Sequence, residues 1–205
     1  MRKKTVTILD IGSSGITAAA AESGPNDTFV IKGFARQSYE GFYEGEFLDK
    51  AGTEAAVRAC LKGVFANLKP DLETVYVGVP GEFTTVVLKD HQISFERPRR
   101  IGEAELNKLY ESAYELRSKR YTIINRSGVD FVLDDARRVA DPVGEVSRSL
   151  RGELSYVLCD KNFVDFFTPV LQKNGVENVE YVSSALAEAL YLFRPEVRDR
   201  SALLL

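Results

Sequence analysis

The segment Ile8–Gly15 constrains the fold of this chain more than any other. Asp10 lies near the end of an apolar segment that predicts a strand. A tight turn follows, and Ile16–Glu22 then predicts a second strand. The turn consists of Gly12, Ser13, Ser14 and Gly15. Glycines and small hydroxyl residues let backbone N–H groups converge on one point, where they can bind phosphate oxygens without a lysine. The segment therefore predicts a β-hairpin with a phosphate site at its tip.

Asp10 indicates that a cation belongs to the same site. A carboxylate repels phosphates unless a cation lies between them, and Mg²⁺ usually keeps several of its waters in proteins. We therefore expect Asp10 to bind Mg²⁺ through water. The same residues also fit an ordinary β-hairpin with a Gly-Ser tip, and the motif alone does not decide between the two interpretations.

Composition excludes several functional classes. The net charge of −3, with both signs interspersed, argues against a dedicated nucleic-acid-binding protein, which would have a basic face. Cys60 and Cys159 are too far apart for a metal motif or a disulfide framework, which favours buried thiols of a cytosolic protein. His91 is the only histidine, which excludes a His-rich metal site and argues against a catalytic triad. Apolar runs are far shorter than the roughly 18 residues of a membrane span.

The two ends of the chain predict alternating strands and helices. The first part predicts strands at Thr5–Ile11, Ile16–Glu22, Thr28–Ala35 and Val75–Val79, with a loop at Gly41–Gly45 and an amphipathic helix at Thr53–Leu68. The last part predicts a helix with Phe163, Phe166 and Phe167 on its buried face, then a strand at Asn178–Val182. Ser183 or Ser184 then caps a final helix.

The middle of the chain predicts a separate small α+β module. Its strands are expected at Phe83–Ser94 (with a break at Lys89–His91), Tyr121–Asn125, Gly128–Leu133 and Leu150–Cys159, with a polar loop at Asp134–Gly144. A helix follows Ile101-Gly102, and Glu105 falls at its third position, where it can cap the helix start.

Without this module, three antiparallel strands are followed by strands that helices connect. This order predicts an α/β fold of the ribonuclease-H-like type, the half of an actin-type ATPase, with a small α+β domain inserted. We expect the actin-like subdomain to comprise residues 1–81 and 159–200, and the insert residues 82–158. Residues 201–205 then begin the first strand of a second half, because a bare apolar strand makes a poor chain end.

The chain resembles the FtsA family of bacterial cell-division proteins. Leu9–Ser14 resembles the first phosphate motif of that family, and Tyr76–Gly81 resembles its strand that ends in a glycine turn. The insert, with its Ile101–Glu105 helix start and Asp141–Gly144 loop, resembles the family's extra domain, called 1C. Ser183–Ala187 also resembles a helix start in the family. These motifs occur in the family's order over nearly the whole chain.

The resemblance implies that the full-length protein binds ATP with Mg²⁺ between two such halves. This chain would supply one wall of the cleft, so we expect it to bind ATP weakly or not at all, and the full-length protein to be at most a weak ATPase. Ser184 lies where many relatives carry the Gln or Glu that positions the attacking water, and Glu188 is a candidate replacement that also fits a solvated helix residue. Some actin-like relatives carry a lysine near the phosphates at the positions of Gly15 and Thr17. Without it, phosphate binding here would depend on backbone amides and serine hydroxyls.

The resemblance also implies partners and a location. The full-length protein would form filaments, bind the division-ring tubulin homologue and other division proteins, and reach the membrane through a C-terminal segment absent here. It would be cytoplasmic and peripheral to the membrane at the division site. The alternatives are an actin-fold protein of type IV pilus assembly and a sugar or acid kinase of the same superfamily. A third alternative is that the insert carries the function and the actin-type half only supports it.

Overall fold

The computed structural model describes residues 5–26, 28–68 and 72–193 of the 205-residue chain. The expected strand at residues 201–205 lies outside the described residues. The chain divides into two compact units. One, the host, runs to Thr84 and resumes at Asn162, and the other, the insert, comprises Thr85–Lys161.

The host is built on a five-stranded mixed sheet. Its strands are β1 (Thr5–Ile11), β2 (Gly15–Ser23), β3 (Phe29–Ser38), β6 (Thr74–Val79) and β11 (Asn178–Ser183). They lie side by side in the order β3-β2-β1-β6-β11. Strand β2 runs antiparallel to both β1 and β3, whereas β6 runs parallel to both β1 and β11. Three antiparallel strands followed by parallel strands form the ribonuclease-H-like sheet that the sequence predicts.

Two helices cover one face of this sheet. Helices α1 (Lys50–Val64) and α3 (Lys161–Lys173) bury their apolar sides. In β1, Leu9 and Ile11 point into this core, and their neighbours Ile8 and Asp10 are exposed on the other face. This alternation follows from the period of two in a strand. The carboxylate of Asp10 therefore lies on the open face of the sheet.

Helix α1 begins and ends earlier than the sequence pattern predicts. The expected range was Thr53–Leu68, but Thr53 already lies inside the helix, where its hydroxyl donates to the Asp49 carbonyl at 2.6 Å. Beyond Val64 the chain continues in turns. Apolar residues there keep the helical spacing although the backbone has left the helix, which is why periodicity misplaced the end.

The expected loop at Gly41–Gly45 contains a miniature hairpin. Strands β4 (Phe42–Tyr43) and β5 (Glu46–Phe47) pair around Glu44 and Gly45, which both have positive φ. Positive φ at both turn residues is typical of the turn that connects two tightly paired strands. Phe47 then packs against the rings of Phe83, Phe166 and Phe167, at centroid distances of 5.3, 5.3 and 5.4 Å. This segment therefore packs on the host.

The insert is a four-stranded sheet with one helix. Its elements are β7 (Thr84–Arg100), α2 (Glu103–Ala113), β8 (Tyr121–Leu133), β9 (Arg138–Val139) and β10 (Val146–Asp160). The strands lie in the order β7-β10-β8-β9. Leu109 of α2 and Tyr156 of β10 are fully buried in its core. Glu105 accepts a hydrogen bond from the Gly102 backbone N–H at 3.0 Å, as predicted for the start of α2.

The predicted break at Lys89–His91 is wrong, because β7 is continuous. Its charged residues find partners on the neighbouring strand and after helix α2, and they do not interrupt it. Arg151 on β10 donates to both carboxylate oxygens of Asp90, with distances from 2.6 to 3.1 Å, and the Lys89 ammonium lies 5.4 Å from the centre of the Tyr114 ring. The two predicted strands at Tyr121–Asn125 and Gly128–Leu133 are likewise one strand, β8, with irregular register.

The remaining host elements follow the insert. Helix α3 runs through Pro169, and Gly175 adopts a positive φ of 89° after the helix ends. Strand β11 leads into α4 (Ser184–Leu192), where the Ser183 hydroxyl accepts a hydrogen bond from the Leu186 backbone N–H. The fold class predicted from the sequence, an actin-type half with an inserted α+β domain, is confirmed.

Candidate functional site

The candidate site lies where three parallel strands end. Strand register places Asp10 of β1 beside Gly78 of β6, and Gly78 beside Val182 of β11. Parallel strands have their carboxyl ends at the same edge of a sheet, and ligands of open α/β sheets bind at that edge. The order β3-β2-β1-β6-β11 thus brings together segments that are far apart in the sequence.

A hydrogen bond joins the two ends of the host at this edge. The Ser184 hydroxyl donates to Asp10 Oδ1 at 2.9 Å. Gly78 lies between them, and a Cβ at this position would be 2.5 Å from Asp10 Oδ1 and 2.6 Å from Ser184 Oγ. A side chain at position 78 would therefore push the carboxylate or the hydroxyl away from the other.

The hairpin tip is a turn with one backbone hydrogen bond across its base. The Gly12 N–H donates to the Gly15 carbonyl at 3.0 Å, and Ser13 and Ser14 are exposed between them. None of these four residues has a positive φ, unlike the turn at Glu44-Gly45. The tip is therefore not the usual tight turn between two strands, which removes one argument for an ordinary hairpin. Gly15 itself is buried.

A segment after β3 holds this tip in place. The Tyr39 hydroxyl donates to the Gly12 carbonyl at 2.7 Å. Gly41 has a φ of 83°, and a Cβ there would lie 1.8 Å from the Ser13 carbonyl oxygen, so another residue would both strain the backbone and clash with the tip. Burial raises the pKa of Tyr39 to about 12, and the negative charge of Asp10 contributes to the shift. Tyr39 therefore stays neutral and keeps donating at physiological pH.

The donor set suits Mg²⁺ carried by phosphates. Among the described residues, no group of three His, Cys, Asp or Glu side chains could hold a metal ion. A Mg²⁺ ion at Asp10 would therefore take most of its ligands from phosphate oxygens and water, as Mg²⁺ does in sites that bind phosphates. The exposed carboxylate of Asp10 and the Ser13 and Ser14 hydroxyls fit such an ion and its phosphates.

The structure brings the two candidate catalytic residues to the same edge. Asp10, Ser184 and Glu188 line a shallow cavity of about 300 Å³ together with Gly78 and Val182. Ser184 is engaged by Asp10, and Glu188 is exposed one turn further along α4. The short serine side chain is thus a partner of the carboxylate, a role that sequence reasoning missed.

Two further residues of the site, Gly78 and Tyr39, were not predicted from the sequence. A glycine inside an apolar strand is a signal of close approach, and it could have identified Gly78. Tyr39 gave no such signal, because its partner Gly12 is distant in sequence, and the aromatic residues Phe42 and Phe47 that follow it pack on other rings of the host. Among the described residues, no helix is both long and apolar enough to cross a membrane.

Comparison of the sequence with characterised proteins supports the resemblance. No protein-family model matches the chain. The "Cell division protein FtsA" of Pseudomonas aeruginosa is 19% identical over 197 residues, which cover 96% of this chain and 47% of that protein. The chain is similar to FtsA. The alignment includes both host and insert, and the chain spans about half the length of this relative.

Comparison with solved structures supports the fold. A chain of the PilM-PilN type IV pilus biogenesis complex superposes with a TM-score of 0.59 at 14% identity, covering 93% of this chain and 50% of that one. At this identity the likeness shows the fold alone. A Bacteroides thetaiotaomicron protein with an actin-like ATPase fold and unknown function covers 93% of this chain and 56% of its own, at 13% identity, but with a TM-score of only 0.33.

Gly78→Ala is expected to destabilise the host by about 0.5–1.5 kcal/mol, because the new methyl group must displace the Asp10 carboxylate or the Ser184 hydroxyl and break their hydrogen bond. Urea unfolding followed by circular dichroism measures the loss. Gly81→Ala is the matched control, since a Cβ at Gly81 meets nothing within 4 Å. Equal stability of the two variants would contradict the close approach at Gly78.

Tyr39 is expected to titrate near pH 12 and not near its ordinary value of 10.0. Since the folded pKa is raised, the stability that neutral Tyr39 provides is complete below pH 10 and is lost as the pH rises towards 12. The unfolding free energy of Tyr39→Phe should therefore depend less on pH in this window. The phenolate absorbance that Tyr39→Phe removes reports the midpoint directly. In Asp10→Asn this midpoint should fall, and an unchanged midpoint would exclude the influence of Asp10.

Proposed function

We propose that this chain forms one side of a nucleotide site in an FtsA-like actin-fold protein that scaffolds cell division. The observation that carries the proposal is the alignment with FtsA, which runs through host and insert alike and covers 96% of this chain. In this proposal the full-length protein forms filaments and connects the division-ring tubulin homologue and other division proteins to the membrane. It works at the division site on the cytoplasmic side.

The geometry of the hairpin supports nucleotide binding. An exposed carboxylate, two exposed serine hydroxyls and a turn held by Tyr39 lie together at the ligand-binding edge of the sheet. ATP bound here would place its phosphates at Ser13 and Ser14. Asp10 would hold the waters of Mg²⁺, which supplies charge neutralisation to the phosphates. Ser184 orients Asp10 by donating to Oδ1.

Hydrolysis would be weak in this arrangement. A residue that positions an attacking water must reach it, and the Ser184 hydroxyl is already directed at Asp10. Glu188 lines the same cavity and is the remaining carboxylate on α4 near Asp10. The protein would then use ATP mainly to stabilise an assembled state, as befits a scaffold.

Asp10→Asn should weaken Mg-ATP binding by the full-length protein by about 10-fold or more, since it removes a charged acceptor while keeping the shape of the side chain. Isothermal titration calorimetry with and without Mg²⁺ measures the effect. Glu188→Gln removes the same charge from the same cavity and should change the Kd by less than about threefold. Binding of Mg-ATP to Asp10→Asn with the wild-type Kd would refute the role of Asp10.

A role in type IV pilus assembly is the second candidate. It is favoured by the superposition on a chain of the PilM-PilN complex, at a TM-score of 0.59 over 93% of this chain. The superposition covers 93% of this chain, so the fold is compatible with both roles.

Cellular location distinguishes the two roles. A fluorescent fusion of the full-length protein should form a ring at the division site, and the purified protein should bind the division-ring tubulin homologue in a pull-down. Deleting Thr85–Lys161 should leave this binding intact, since the resemblance to FtsA implies that the insert is not the part that binds the tubulin homologue. Location at the pili without binding to the tubulin homologue would refute the division role and favour the pilus role.

A further inference from the structure

A guanidinium from the third strand lies beside the hairpin tip. Arg36 is on β3, and strand register places it opposite Thr17 of β2, which in turn is opposite Asp10 of β1. Residues directly opposite each other in antiparallel strands point to the same face of the sheet. Asp10, Thr17 and Arg36 therefore form one row across the open face: a carboxylate, a hydroxyl and a cation.

The guanidinium reaches over Gly15. A Cβ at Gly15 would lie 3.1 Å from Arg36 Nε and 3.3 Å from Nη2. Gly15 is buried although Ser13 and Ser14 next to it are exposed, which fits a side chain lying across its backbone. Glycine at position 15 thus leaves the room that brings the guanidinium to the tip.

Arg36 has no counter-charge in the described part of the chain. Its side chain is exposed, and no described carboxylate lies within ion-pair distance of it, whereas Lys32 on the same strand pairs with Glu22 at 3.4 Å. Arg36 and Asp10 are two strands apart, roughly 10 Å at the usual strand spacing. They leave between them a gap with a cation on one side and a carboxylate on the other.

We propose that Arg36 binds the phosphates of the ligand at the hairpin tip. The proposal rests on the proposed nucleotide site and deepens it. Sequence reasoning found no lysine at Gly15 or Thr17 and left the phosphates to backbone amides and serine hydroxyls. The structure supplies a cation from β3 to the same place, because β3 lies beside β2 in the sheet. A guanidinium binds phosphate oxygens in a planar, two-pronged geometry, and its charge strengthens each hydrogen bond.

The two charged side chains, Arg36 and Asp10, have different roles at the site. Arg36 would neutralise phosphate oxygens directly, and Asp10 would hold the waters of a Mg²⁺ ion bound to the phosphates. Thr17 lies between them as a hydroxyl donor or acceptor. A ligand recognised in this way carries at least two linked phosphates, because one phosphate cannot span the row from Arg36 to a cation at Asp10.

The test compares Arg36→Gln with Lys32→Gln in the full-length protein. Both substitutions remove one positive charge from β3, but Lys32 lies far from the hairpin tip in the strand register. Arg36→Gln should raise the Kd for Mg-ATP and the inhibition constant of inorganic triphosphate by about 10-fold or more, and should make binding less sensitive to salt. Lys32→Gln should leave both constants within about twofold. Arg36→Lys, which keeps the charge but not the two-pronged geometry, should fall between wild type and Arg36→Gln.

Gly15→Ala provides a second, independent variant. The added methyl group would shift the guanidinium by a few tenths of an ångström, so this substitution should weaken binding modestly in the wild type but have little further effect in Arg36→Gln. Such non-additivity is a sign of residues that act together. If wild type binds Mg-ATP and Arg36→Gln binds it equally well, the proposal for Arg36 fails and the nucleotide site stands. If the wild type binds neither Mg-ATP nor triphosphate, both fail.

Discussion

The parallel pairing of β6 with β1 on one side and β11 on the other is the constraint on which the site depends. It sets Asp10, Gly78 and Val182 at one level, so that the next turn of chain after β11 begins beside the Asp10 carboxylate. The Ser184–Asp10 hydrogen bond is a consequence of this register. A shift of one residue in β6 would put Val77 or Val79 in the place of Gly78 and turn its side chain towards the site, because neighbours in a strand face opposite ways.

The other half of the site depends on β2 and β3, which are antiparallel. The hairpin between β1 and β2 presents the tip, and the segment after β3 returns to hold it through Tyr39 and Gly41. Three strands thus contribute to a turn that would be mobile if it depended on its own hydrogen bond alone. Phosphate sites made from backbone groups need such rigidity, since their geometry cannot be corrected by side-chain rotation.

The sequence predicted the elements and their order, because strand alternation and helical spacing are local. It located Asp10, Gly12, Ser13, Ser14 and Gly15 at the end of a strand and the tip of a hairpin. It could not find the partners of these residues. The Gly12 carbonyl meets Tyr39, Asp10 meets Ser184, and Gly15 meets Arg36 through strand register, which no local pattern encodes. The predicted break in β7 at Lys89–His91 is wrong for the same reason. Asp90 pairs with Arg151, which is far away in the sequence, and no local pattern reveals this ion pair.

The position of the insert has a consequence for the order of folding. Thr74 of β6 pairs with Asn178 of β11, and the whole of Thr85–Lys161 lies between them in the sequence. Closing so long a loop is entropically costly and slow while the loop is unfolded. The first and last strands of the insert, β7 and β10, are hydrogen-bonded neighbours, so a folded insert shortens the loop to its two junctions. A folded insert therefore lowers the entropic cost of pairing β6 with β11, and defects in its core are expected to slow the formation of the host sheet.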